Sequence, residues 1–210
     1  MSMIAIVDMK VSNLGSVMQA LKQVGAPPHE LARPDNLESA AAILLPGVGA
    51  FRDGMASLLA QGLVEPIRRA AAKGTPIFGI CLGMQLLARK SEEYGMHEGL
   101  GLLPAHVIQL QATQPGFRVP NIGWCDAVAT RSSRLFPHGG GCFYHVHSFH
   151  VVPDDVSAVA ATIDFSGTRI AVAIESGNLF GVQFHPEKSQ DDGLRVLADF
   201  FAALGMGVSA

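Results

Sequence analysis

The chain has 210 residues, of which 49% are hydrophobic and only 16% charged, and its formal net charge is −3. That length and apolar content exclude a disordered chain and suit one large α/β domain or two small ones. The charge is mildly negative and no Lys/Arg-rich run occurs, which argues against nucleic acid or an anionic membrane as the main partner.

The first half alternates strand and helix signals. "MIAIVD" (3–8) is a short apolar run without a basic flank, and it reads as a buried first strand rather than a signal peptide. "LGSVMQALKQVG" (14–25) has helical spacing closed by Gly25. "AAILLPG" (41–47) is a second strand, too soon broken by Pro46 and Gly47 to span a membrane. "GMASLLAQGLVEPIRRAAAKG" (54–74) reads as helical with a break before Pro66. "TPIFGI" (75–80) is the next strand, and "LGMQLLARK" (82–90) the next helix. Strands separated by helices imply βαβ units and a parallel sheet covered on both faces.

After about residue 105 the texture changes. "HVIQL" (106–110), "CFYHVHSFHVV" (142–152), "SAVAATI" (157–163), "RIAVAIES" (169–176) and "LFGVQF" (179–184) are strand-like, with a turn at Ser176–Asn178. "DDGLRVLADFFAAL" (191–204) reads as a closing helix. No repeat, low-complexity tract or long linker divides the chain, so a single domain over 1–210 is expected.

Two segments carry chemistry. In "GICLGMQ" (79–85), Cys81 stands at a strand-to-helix junction between Gly79 and Gly83. This is the thiol form of a nucleophile elbow, with a sharp turn, glycines that allow close packing, and free N–H groups beside the sulfur. The competing reading is a buried structural cysteine, a common fate for free Cys. In "GVQFHPEKS" (181–189), an apolar strand ends in His185-Pro186-Glu187. Residues two apart on an extended chain share a face, so Glu187 is expected to orient His185 while His185 exchanges a proton with Cys81. An isolated His-Pro-Glu is more often a solvated turn; beside a cysteine elbow it completes nucleophile, base and orienter.

Together these segments resemble the class I (triad) glutamine amidotransferases over nearly the whole chain. Within that family the resemblance narrows to the glutaminase subunits of imidazole glycerol phosphate synthase. It is carried further by "NLGSV" (13–17), "LLPGVGAF" (44–51), "SEE" (91–93), "VPNIGW" (119–124) and "VHSF" (146–149). The resemblance implies a flavodoxin-like α/β fold, with a mostly parallel central sheet flanked by helices and added antiparallel strands in the second half. It implies hydrolysis of glutamine to glutamate and ammonia without a cofactor. Cys81 is then the nucleophile, His185 the acid–base and Glu187 its support. The Leu82 N–H supplies one oxyanion donor, and the Gly47–Gly49 turn supplies the other at Val48 and Gly49, after a peptide flip that switches the enzyme on. Gly49, Gln85, Glu93, His147 and Ser148 match positions that hold glutamine. Asn13, Asn121, Trp124 and Lys188 match positions facing a separate cyclase or synthase chain, a (β/α)8 barrel that receives the ammonia in histidine biosynthesis.

The bare residues leave other readings open. Gln85 and Glu93 also suit a solvated helix surface, Gly47 and Gly49 an ordinary turn, and Trp124 a core position. His145, His147 and His150 suggest a metal, but neither they nor the three cysteines show ligand spacing, so no metal is expected. Three cysteines cannot all pair, which points to a reducing, cytoplasmic setting. Several positions depart from the family pattern: Asn121 and Cys125 in "VPNIGWC", Phe149 after "HS", and Met9 and Lys10 in "VDMKVSNLGSV". They leave the triad intact and bear on the pathway, since paralogous subunits supply ammonia for sugar amination or amidination in surface polysaccharide synthesis. A stand-alone cysteine hydrolase and a non-catalytic regulator of a synthase are the remaining alternatives.

Overall fold

The computed structural model describes residues 3–10 and 13–207; Val11 and Ser12, within the segment that departs from the family pattern, lie outside them. The first half runs β1 (Ile4–Ile6), α1 (Leu14–Gln23), β2 (His29–Leu31), β3 (Ala42–Gly47), α2 (Phe51–Ala60), α3 (Val64–Ala72), β4 (Ile77–Cys81) and α4 (Leu82–Leu86). The chain continues through β5 (Ala88–Ser91), β6 (His97–Glu98), β7 (Leu103–Gln109), β8 (Asn121–Ala129), β9 (Gly141–His147) and β10 (Phe149–Pro153). It closes with β11 (Val159–Phe165), β12 (Thr168–Ser176), β13 (Leu179–Val182) and α5 (Gln190–Ala203).

Among the described residues the main sheet has nine strands in the order β2-β1-β3-β4-β13-β12-β11-β8-β9. The stretch β2-β1-β3-β4-β13 is parallel, and the remaining pairs are antiparallel. A smaller sheet, β10-β7-β5-β6, packs over one side. Alternate residues of β1, β3, β4 and β13 enter opposite cores, whereas the outermost β2 is largely exposed. Ile4, Ile6, Leu44, Phe78, Ile80 and Phe180 meet α1 and α5 through Val17, Leu21, Leu197 and Phe200. Ala5, Val7, Ile43, Leu45 and Ile77 meet α2, α3, α4 and the small sheet through Phe51, Leu58, Ile67, Leu82 and Val107. Both faces are covered, and this is why these strands are apolar throughout instead of alternating. No described helix is long and apolar enough to cross a membrane.

Among the described glycines, the closest approach of backbone to backbone is at the β4–α4 junction. A Cβ on Gly79 would lie 2.6 Å from the Gly83 backbone, and one on Gly83 would lie 1.6 Å from the Leu45 carbonyl oxygen. The helix backbone thus rests directly on β3 and β4. To turn from strand to helix in one step, Cys81 takes φ 54° and ψ −109°, a region that costs a non-glycine residue roughly 1–3 kcal/mol.

Three expectations need correction. The helix after Cys81 ends at Leu86 rather than continuing to residue 90, because residues 99–103 capture the next carbonyls. The N–H groups of Leu100 and Leu103 bond Leu86 and Leu87, and Ala88–Ser91 becomes a strand. The 54–74 helix starts earlier, at Phe51, and breaks at Gly62 (φ +65°) rather than before Pro66. Pro66 sits in the first turn of α3, where its missing N–H has no helical partner to lose. The 142–152 strand is two strands, divided at Ser148, whose carbonyl accepts from Leu110; β9 joins the large sheet and β10 the small one.

Gly83→Ala is therefore expected to lower unfolding free energy by about 3 kcal/mol or more, since the clash is with backbone that cannot give. Gly15→Ala, exposed in α1 with only Asn13 Oδ1 nearby at 3.9 Å, should change it by less than about 1 kcal/mol. Denaturant midpoints of the two variants test the contrast.

Candidate active site

The chemistry-bearing residues meet at the carboxyl ends of adjacent parallel strands, where open α/β sheets place their ligand crevices. β3 ends at Gly47 and leads into Val48 and Gly49, β4 ends on Cys81, and β13 leads into Gln183 and His185. Phe180, Val182 and Phe184 enter one core, which leaves Gln183 and His185 for the other side of the chain.

His185 is 1% exposed, and its Nδ1 lies 2.8 Å from Glu187 Oε1. The expected partnership is present, though by a different route from the extended chain supposed. Pro186–Lys188 is a single 3₁₀ turn, and it folds Glu187 back onto the ring. Nε2 has no hydrogen-bond partner among the described residues. Burial disfavours the imidazolium, but the Cys81 sulfur and the Glu187 carboxylate outweigh it and raise the His185 pKa to about 9. The imidazole is therefore charged at neutral pH.

Two more histidines behave oppositely. The Phe149 carbonyl can only accept, so His147 Nδ1–H donates to it at 2.9 Å, and His147 Nε2 is left to accept from His145 Nδ1 at 3.2 Å. Burial, then the neighbouring histidines, push His145 down to about 3, and burial is also the main cause that takes His147 to about 4. Among the described residues no group of three or more His, Cys, Asp or Glu side chains is placed to hold a metal ion.

Val48, Gly49, Cys81, Leu82, Gln85, Glu93, His147, Ser148 and Phe149 line one pocket of about 170 Å³. That is smaller than the roughly 300–1,000 Å³ of drug-sized sites and suits a single amino acid better than a peptide. Gln85 and Glu93 are not solvated helix residues. Gln85 is 5% exposed and its amide donates to the Phe149 carbonyl and to Gln183 Oε1, both at 3.1 Å. Glu93 accepts the Phe51 N–H at 2.6 Å, tying the first residue of α2 to the pocket wall. Gly49 has φ +96°, a conformation that favours glycine, and a Cβ added to it would meet no atom within 4 Å.

The remaining residues lie apart from this pocket. Asn13 caps α1 by accepting from the Ser16 N–H at 3.4 Å. Trp124, 48% exposed, packs edge-on against Tyr144, and the Lys188 ammonium lies 6.0 Å from the same Tyr144 ring. Asn121 and Cys125, both departures from the family pattern, contact each other at 3.7 Å. Phe149 reaches the site through its carbonyl, so the missing phenol hydroxyl does not touch these bonds. The Tyr144 backbone grips the His185–Ser189 turn twice: its carbonyl accepts the His185 N–H at 3.0 Å, and its N–H donates to Ser189 Oγ at 3.0 Å.

Gln183 is the residue that sequence reasoning missed. It is fully buried, and its Nε2 donates to Cys81 Sγ at 3.7 Å. Its signal was available: it stands two positions before His185, as Glu187 stands two after.

A family model described as "Glutamine amidotransferase class-I" matches residues 5–204. The chain is 47% identical over 199 residues to "Imidazole glycerol phosphate synthase subunit HisH" of Moorella thermoacetica, covering 94% of this chain and 93% of that one. It is 43% identical over 204 residues to the protein of the same name in Syntrophotalea carbinolica, covering 94% and 98%. Among solved structures, "Structure of PurLQS from Thermotoga maritima" aligns with a TM-score of 0.72 at 23% identity, over 97% of this chain and 99% of that one. "Crystal structure of glutamine amidotransferase" aligns at 0.71 and 21%, over 96% and 99%. At these identities the structural likeness concerns the fold.

The His185 environment generates a pH prediction. Its folded pKa lies above the ordinary 6.5, so its contribution to stability is complete below about pH 6.5 and is lost as pH rises through about 9. The stability advantage of the parent over Glu187→Gln should shrink across that window. NMR titration should place His185 near 9 in the parent and lower in the variant; equal titration in both would remove Glu187 from the pair.

Proposed function

The chain belongs to the class I glutamine amidotransferases, and from that membership we propose that it is the glutaminase subunit of imidazole glycerol phosphate synthase. It releases ammonia from glutamine for a separate cyclase chain in histidine biosynthesis. The observation that carries this reading is one pocket that joins Cys81, the strained elbow, to Gln85 and Glu93, in a chain that aligns over 94% of its length with relatives named for that synthase.

The reaction follows from the groups present. Glutamine occupies the pocket with its α-amino and carboxylate groups against Glu93 and the His147–Ser148 wall and its side-chain carbonyl at Cys81. The Cys81 thiolate attacks the amide carbon, and negative charge moves onto the oxygen. The Leu82 N–H and a rotated peptide at Val48–Gly49 receive that charge. His185, already protonated, gives its proton to the departing nitrogen, so ammonia leaves and a glutamyl thioester remains. Neutral His185 then takes a proton from water, hydroxide attacks the thioester, and glutamate departs. Glu187 keeps Nδ1 protonated and Nε2 directed to the reacting atoms throughout.

The ammonia is used by the cyclase, a (β/α)8 barrel that docks on the face bearing Trp124, Lys188, Asn13 and Asn121, in the cytoplasm. The relatives' names favour this pathway over sugar amination, and the pocket volume disfavours a peptide hydrolase. The rotating Gly49 peptide provides a gate. With its N–H turned away, the oxyanion hole lacks one donor, a loss of about 10²–10³ in rate.

Cys81→Ala should keep the fold and reduce glutamine hydrolysis by several orders of magnitude. A chloroketone analogue of glutamine should alkylate Cys81 and spare the other thiols. Burial raises the pKa of both Cys125 and Cys142, and Asp126 beside each adds to it. Labelling at Cys125 instead would displace the assignment. Hydrolysis should be slow for the isolated chain and rise when the histidine-pathway cyclase and its ribonucleotide are added. Full activity of the isolated chain would remove the gate, and silence with that cyclase but turnover with a sugar-pathway synthase would change the pathway.

A further inference from the structure

We propose that Gln183 is a positioning residue for the nucleophile: its side-chain N–H holds the Cys81 sulfur in its attacking orientation and favours the thiolate. The inference rests on the reading of Cys81 as nucleophile and adds a residue that the triad does not contain.

Gln183 is 0% exposed, and an amide buried there must be hydrogen-bonded or go without the partners that water would give it. Its bonds form a chain with only one sense. The Phe149 carbonyl is an acceptor, so the Gln85 amide must present its NH₂ there. The same NH₂ reaches Gln183, which must therefore present Oε1. Gln183 is left with its NH₂ facing Cys81 Sγ, 3.7 Å away. The direction of both amides is thus set by one main-chain oxygen rather than by the sulfur itself.

A thiol is a weak acceptor and a thiolate a strong one, so a fixed N–H at this distance stabilises the charged form selectively. It also fixes where the sulfur sits before substrate arrives. Gln183 has no proton to exchange at neutral pH, so proton transfer stays with His185. The chain has a second consequence. Gln85 lines the glutamine pocket, so the group that meets the substrate and the group that meets the nucleophile are hydrogen-bonded to each other.

The test uses the full-length chain assembled with its cyclase. Gln183→Met keeps side-chain length and removes the N–H. kcat should fall roughly 10- to 100-fold, the range expected for losing a hydrogen bond to a charged group, with KM for glutamine changed less than about threefold. Iodoacetamide alkylation of Cys81 at neutral pH should slow by a similar factor and recover at high pH, where the thiol ionises without help. Parent-like kcat and alkylation, or a loss confined to KM, would overturn the proposal. Should Gln183→Met fail to fold, ¹⁵N-glutamine labelling of the parent provides the second measurement: the Gln183 side-chain amide should shift in Cys81→Ala, and an unmoved signal would count against it. Failure of the underlying reading is separable, because it appears as glutamine turnover retained in Cys81→Ala, whatever Gln183 does.

Discussion

The close contact of the α4 backbone with β3 and β4 is the constraint on which the rest of the site depends. Two glycines, Gly79 and Gly83, let main chain touch main chain, and Cys81 between them has no relaxed conformation that satisfies both neighbours. Its strain of roughly 1–3 kcal/mol is outweighed by what the short helix buries. Leu82, Met84 and Leu86 are each almost fully inaccessible, and burying such side chains contributes about 1.5–3 kcal/mol apiece. The packing of its neighbours fixes the Cys81 backbone at a pocket wall, and the Gln183 N–H then orients the sulfur.

Around that fixed sulfur, charge is distributed by very few atoms. Three of the buried histidines, identical in chemistry, are driven apart by their surroundings, His145 down to about 3, His147 down to about 4 and His185 up to about 9. The difference lies in their partners. His185 has a carboxylate and the sulfur beside it, whereas His145 and His147 have only each other and a carbonyl as hydrogen-bond partners. The Phe149 carbonyl sets the His147 tautomer and the orientation of the Gln85 amide together, so one main-chain oxygen fixes two of the neutral groups of the pocket.

Much of this is legible in the sequence, and the illegible parts have physical reasons. The parallel strands announce themselves by continuous apolarity, and the elbow by Gly79, Cys81 and Gly83. The strand character of Ala88–Ser91 is hidden, because residues 82–90 do carry a helical pattern and only pairing with residues farther along the chain overrides it. The division at Ser148 is hidden for the same cause: each half is a good strand, and the choice of sheet is made elsewhere. β8 gives little signal because its Asn121–Ala129 stretch presents Ile122, Trp124 and Val128 outward, against the pattern of a strand that covers a core. The pairing of His185 with Glu187 is right although the backbone between them is a turn and not an extended chain. Gln183 is marked only by standing two positions before His185, a spacing that by itself names no chemistry for an amide.

The grip of Tyr144 on the His185 turn uses only main-chain atoms of β9, one donor and one acceptor. The side chains of Asn121 and Cys125 on β8 take no part in it. Those two side chains contact each other instead, so that strand is free to change its chemistry while the imidazole keeps its place. Such wiring separates two evolutionary demands that usually conflict. The surface can change by single substitutions to suit a new neighbour, and the main-chain bonds that set the register of the His185–Ser189 turn are left in place.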